Sequence, residues 1–262
     1  MPTRQDSKGS RMRLQISQNE LPVEEWSAAE SIGDNLSSLE SLARDFRENV
    51  SFYLFLRACE KQFRTETDMY WRENSAWFSI AARSGAILAQ SFGAILQAIS
   101  STRCPILWSK VDTSIRKLGT RLYAEEFPTI RGIRDSAAHP EEFAKSREQF
   151  NQNRMGNETS SLYISNSMQT LEDSMIVYST VKGRIVSYEL SMRKADKLDQ
   201  VIWLFEHTFS VLENQDDAKR RAMVAANDRQ RHTDETMRQP WWHALVEIEG
   251  SPPTKNDILN NM

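Results

Sequence analysis

Between Arg131 and Pro140 a guanidinium (Arg134), a carboxylate (Asp135) and an imidazole (His139) fall within six residues. On a helix Asp135 and His139 are four residues apart and share a face. The carboxylate can then accept a hydrogen bond from the imidazole and set its tautomer. A side chain held that way can give or take a proton near neutral pH, and a guanidinium can stabilise charge on a phosphate. Arg134 lies about 140° around the helix axis from His139 on the ~3.6-residue period, so one copy does not close both groups on a single phosphate. A second copy across a symmetry axis would supply the missing group, which points to a dimer. The approach to the motif is basic. From Ser101 to Arg134 there are seven Lys or Arg against three acids. A solvated helix face is the simpler account of such an excess, and a binding surface the alternative.

The surrounding elements follow from apolar spacing. Residues 1–33 are polar without sustained periodicity and read as a loosely attached, disordered segment. Ser37 and Glu40 form a capping-box pattern, and Leu39, Leu42, Phe46, Val50, Tyr53 and Leu54 then recur as one stripe. This predicts a helix to about Arg64. A second helix is expected over 73–100, with Trp77, Ile80, Ala81, Ser84, Ile87, Leu88, Ser91, Ile95 and Ile99 on its buried side. Its many Ala, Ser and Gly residues place it at the centre of a bundle. A third helix is expected from about Thr102 through Leu107, Val111, Ile115, Leu118 and Leu122, with Pro105 in its first turn. Pro128 breaks it and opens a short helix carrying the motif, and Pro140 places His139 at or just beyond that helix's end.

After a polar loop over 144–160 the period becomes two. Met175–Thr180 and Arg184–Leu190 read as a hairpin turning at Lys182-Gly183, with 161–165 a candidate third strand. Leu198, Val201, Ile202, Phe205, Phe209 and Leu212 mark a last helix, and residues 215–262 form a charged tail. At 262 residues and net charge −3 the chain can bury a sizeable core and is not coated in basic charge. Its negative mean hydropathy fits a soluble chain. No run approaches the ~18 apolar residues that span a bilayer, and no apolar signal core follows the charged N-terminus. Cys59 and Cys104 lack metal-like spacing and read as reduced thiols of a cytoplasmic protein. No glycine-rich phosphate loop, Cys/His metal cluster or nucleophile elbow occurs, and nothing points to a cofactor.

Arg134, Asp135 and His139 resemble the signature of the HEPN family, Arg followed after four to six residues by His, often with Asn, Asp or His directly after the Arg. All three positions match. The resemblance implies a mainly α fold: an antiparallel helical bundle over 34–214, with a small β insertion near 161–191 before the last helix. It also implies metal-independent endoribonuclease action at a homodimer interface, of the kind found in toxin–antitoxin or phage-defence systems. A nucleotidyltransferase-like antitoxin would be the partner. By the same carry-over His139 would move protons at the ribose 2′-hydroxyl or the leaving oxygen. Arg134 would stabilise charge on the phosphate, and Asp135 would support the pair. Arg116, Lys117, Arg121 and Arg131 would attract the RNA backbone.

Two other readings stay open. Arg134 and Asp135 could be structural charges at a helix end with His139 as a cap, and the bundle a non-catalytic interaction module. A second Arg/His pair, Arg238 and His243, has the same spacing, but Gln239 is not the favoured neighbour and Pro240 breaks any helix. His207 falls opposite its helix's apolar stripe, His232 lies in the charged tail, and Trp241-Trp242 could anchor a partner or pack onto the body.

Overall fold

The computed structural model describes residues 21–63, 68–138, 147–152, 154–157, 160–162, 164 and 167–212. Helix accounts for 75% of them, and a three-stranded antiparallel sheet is the main β element. The mainly helical expectation holds at that level.

Two long antiparallel helices, α1 (Val23–Phe63) and α2 (Asp68–Ser101), form the spine. Along α1 the residues Ala29, Ile32, Leu36, Leu39, Ala43, Phe46, Val50 and Tyr53 are all buried, one apolar row at three- and four-residue spacing. The helix therefore starts well before the predicted cap. Ser37 is interior, its hydroxyl donating to the Gly33 carbonyl, and the segment from Val23 onward belongs to the core rather than to a loose N-terminus. Glu25 explains why this early turn is held. Its carboxylate oxygens accept the backbone N–H groups of Ile106 and Leu107, each at 2.9 Å, and so close the N-terminus of α3 (Pro105–Lys110).

The buried side of α2 is the predicted one only in part: Ala81 and Ile99 are buried as expected, but most of the row is turned. Phe78, Ala82, Ala86, Ala89, Phe92, Leu96 and Ile99 face inward, whereas Trp77, Ile80 and Ile87 are 49%, 47% and 37% exposed. The inward row carries small residues because neighbours come close. At Gly85 a Cβ would stand 2.8 Å from Leu190 Cδ1 and from Tyr188 Oη. Tyr188 donates its phenol to the Ala82 carbonyl, and burial pushes that phenol far above its ordinary pKa. Among the described residues one helix segment, Ala76–Ser101, is long and apolar enough to cross a membrane by length and composition alone, with a mean hydropathy of 1.2 over its best window. Alanines and isoleucines spread around the whole helix raise that average without forming an unbroken apolar run.

The single third helix of the prediction is two. Val111 is extended, and the Asp112 carboxylate caps α4 (Thr113–Glu126) by accepting the Ser114 N–H at 2.8 Å. Leu118, placed on the predicted stripe, is 53% exposed, because α4 turns Gly119 onto Phe205 and Tyr123 onto Phe92 instead. After Pro128 comes α5 (Ile130–Ala138), the motif helix. Part of the expected polar loop is ordered as α6 (Arg147–Gln152) and β1 (Met155–Asn157), which pairs with β2 (Ser160–Leu162). The main sheet runs β3 (Ser167–Thr170), β4 (Ser174–Val181), β5 (Arg184–Ser191); Ser161 and Leu162 of the expected strand over 161–165 are extended as predicted but pair with β1 instead of joining this sheet. Lys182 and Gly183, at φ 50° and 71°, make the hairpin turn where it was predicted. The last helix, α7 (Met192–Phe209), buries Leu198, Val201, Ile202, Phe205 and Phe209, and Leu212 is buried in the turn that follows. At its start Lys194 donates to the Glu126 carboxylate at 2.7 Å, and on its outer side Arg47 of α1 reaches Asp196 and Asp199. His207 is exposed as expected and stacks on Trp203. Met175 is fully buried, Cys59 is half-buried and Cys104 buried, and both cysteines are free thiols.

Candidate functional site

The motif helix α5 is held from below and entered under strain. Ile133 is fully buried and Ile130 nearly so, and Gly132 rests on Val181 of β4, where an added Cβ would meet both γ-methyls at 2.9 Å. At its entrance Thr129 takes φ 61°, a left-handed conformation unfavourable for a β-branched residue, and its carbonyl accepts the Gly132 N–H at 2.9 Å. The helix is thus pinned on one side by α2 and the sheet and leaves its other side to the polar residues of the motif.

On that side Arg134 Nη1 donates to Asp135 Oδ1 at 2.7 Å, with 35% and 39% of the two side chains exposed. Arg134 Nε is buried and finds no hydrogen-bond acceptor among the described residues. The Asp135 carboxylate therefore faces its neighbouring guanidinium, which orients the cation and offsets part of its charge. α5 is described as far as Ala138, and His139 lies outside the described residues. So do His232, Arg238, Trp241, Trp242 and His243, the N-terminal 1–20 and the tail from 213 onward.

Of the four basic residues, one does not face solvent. Arg116 turns inward: its guanidinium lies 4.6 Å from the centroid of the Trp108 ring, and its Nη1 donates to the Ser100 carbonyl at 3.1 Å. Arg121 Nε is engaged by Glu125 at 2.7 Å. Lys117 on α4 and Arg131 on α5 are exposed.

Sequence reasoning missed the Glu25 cap of α3, because a carboxylate paired with a helix start some eighty residues away leaves no local pattern. It also assigned the exposed Trp77–Ile87 row to the core. The signal there was a second apolar periodicity on the same helix. Among the described residues no group of three or more His, Cys, Asp or Glu is placed to hold a metal. No family model, curated protein or solved structure matches this chain.

Proposed function

We propose that the chain is a HEPN-like, metal-independent endoribonuclease acting as a homodimer, of the toxin–antitoxin or phage-defence kind, with a nucleotidyltransferase-like antitoxin as its protein partner. The observation that carries this reading is Arg134. It sits on a short helix pinned to the bundle, a third exposed and oriented by Asp135, five residues before His139 in the sequence. A guanidinium so placed can bind a phosphate oxygen while the imidazole moves the 2′-hydroxyl proton. In this reading Asp135 positions Arg134 rather than His139. Lys117 and Arg131 give the RNA backbone its first contacts, while Arg116 serves the fold.

The competing reading, a non-catalytic interaction module on the same bundle, draws on the exposed apolar row of α2. One experiment separates them. The parent and the His139→Ala and Arg134→Ala variants, each shown to be folded, are incubated with labelled tRNA and single-stranded RNA in EDTA. Cleavage by the parent that falls by about 10²–10⁴-fold in His139→Ala supports the ribonuclease. Inert parent protein, or equal cleavage by all three, leaves the interaction module as the function.

A further inference from the structure

Along α2 the outward row repeats every seven residues, Trp77, Ser84, Ser91 and Ala98 on one line and Ile80, Ile87, Ala94 and Ser101 on the next. A strict seven-residue repeat of apolar and small positions is the spacing by which one helix packs along another. Trp77, Ile80 and Ile87 on this row are exposed, as are Ala94, Ala98 and Ser101, while Ser84 and Ser91 are half-buried. The row is therefore a finished packing face without a partner helix among the described residues. Trp77 is braced for such a role, since its ring meets Phe52 of α1 edge-on at 6.0 Å.

The row is also graded in size. Its first half carries the bulk (Trp77, Ile80, Ile87) and its second half the small residues (Ser91, Ala94, Ala98). Two copies lying antiparallel set bulk against small along the whole contact, whereas two parallel copies set Trp77 on Trp77 and leave the small ends apart. Charge acts in the same direction. Arg83 is the single charged residue between Ala76 and Ser101, so parallel copies would oppose like charges and antiparallel copies separate them. A contact in which the same patch serves both partners is the isologous, two-fold kind that closes as a dimer.

We infer that the outward face of α2 is a self-association surface on which a second copy of this chain docks through its own α2, antiparallel. A lipid surface fits the row less well: interfacial helices carry Lys- and Arg-rich polar faces and large apolar residues throughout, and here five of the eight residues are Ser or Ala. The inference rests on the helix face alone and is read without RNA, so loss of cleavage and loss of dimer are separate results.

The test is the mass of the full chain by light scattering at micromolar concentration, beside Ile87→Glu and Ala98→Glu. Both substitutions fall on exposed positions, and unchanged far-UV circular dichroism confirms their fold. The expected result is a dimer for the parent and a dimer dissociation constant weakened by roughly 100-fold in each variant, because pairing would desolvate the added carboxylate. Spin labels at Trp77→Cys in a Cys59→Ser background should lie roughly 30 Å or more apart across the dimer, from the ~1.5 Å rise along the helix. A monomeric parent overturns the inference, as does a dimer indifferent to both substitutions. Labels within about 10 Å of each other overturn the antiparallel arrangement. A monomer that binds neutral phosphatidylcholine vesicles and loses that binding in Ile87→Glu assigns the face to lipid instead.

Discussion

Arg116 lies over the indole of Trp108, its guanidinium carbon 4.6 Å from the ring centroid, with one of its nitrogens on the Ser100 carbonyl. A residue that looks from its spacing like part of an RNA-facing row thus ties the start of α4 to α3 and to the end of α2. Burial lowers its affinity for a proton without removing the charge. Arg116→Ala is expected to lower stability by about 1–2 kcal/mol, from a lost cation–π contact and a lost hydrogen bond. Lys117→Ala and Arg131→Ala should stay within about 0.5 kcal/mol of the parent, as exposed side chains do. Denaturant unfolding gives the first comparison. The salt dependence of RNA binding gives the second: it should flatten for Lys117→Ala and Arg131→Ala.

Acid should act on the junction of α4 and α7. The Lys194 ammonium bonded to the Glu126 carboxylate holds that carboxyl below its ordinary range, against the opposing effect of burial, and the nearby charges of Lys194, Arg193 and Lys197 act in the same direction. A carboxylate with a depressed folded-state pKa contributes stability above its unfolded value, and that contribution is lost as the pH falls through the folded value. The loss should therefore begin below about pH 4.5. Lys194→Met keeps the buried stem, removes the ammonium, and should cost roughly 2 kcal/mol at neutral pH. It should also make the acid limb of stability shallower. Urea unfolding of parent and variant from pH 7 down to pH 3 measures both effects, and an unchanged acid slope would remove Glu126 from the account.

The turn before the motif helix offers a gain rather than a loss. Thr129 holds φ 61° and is exposed, so replacing it by Asn relieves strain without disturbing a packed neighbour. Thr129→Asn should raise stability by about 1 kcal/mol. Thermal unfolding checks it. RNA cleavage, if it depends on α5 being held at its present angle, should be unchanged in the same variant.

Legibility in the sequence tracked how one-sided each element's composition is. The α7 row from Leu198 to Phe209 is set against Asp199, Gln200, Glu206 and His207 on the other side, so one face was marked for burial, and that face is buried. The hairpin was equally plain, because Lys182-Gly183 separates two runs of period two. On α2 nearly every position between Ala76 and Ser101 is apolar or small, so two opposite rows both satisfy the helical period. Which row is inside was decided by close approach at Gly85, a tertiary fact. The start of α1 was hidden because its early turns mix Glu, Ser and Gly with the buried Ala29 and Ile32, and the α3–α4 break because Val111 continues the apolar spacing while its backbone is extended. Of the motif, the short helix after Pro128 followed from residue types. The pairing of Asp135 with Arg134 depended on side-chain reach and not on periodicity.

The seat of Gly132 on Val181 has a mechanical meaning. With no side chain between them, the hairpin acts as a hard stop for the motif helix, and the height of Arg134 above the bundle is set by the thickness of one valine. Any methyl added at Gly132 would act as a shim, lifting the guanidinium and its carboxylate together. The hairpin is then less an ornament inserted before the last helix than the gauge against which the site is levelled.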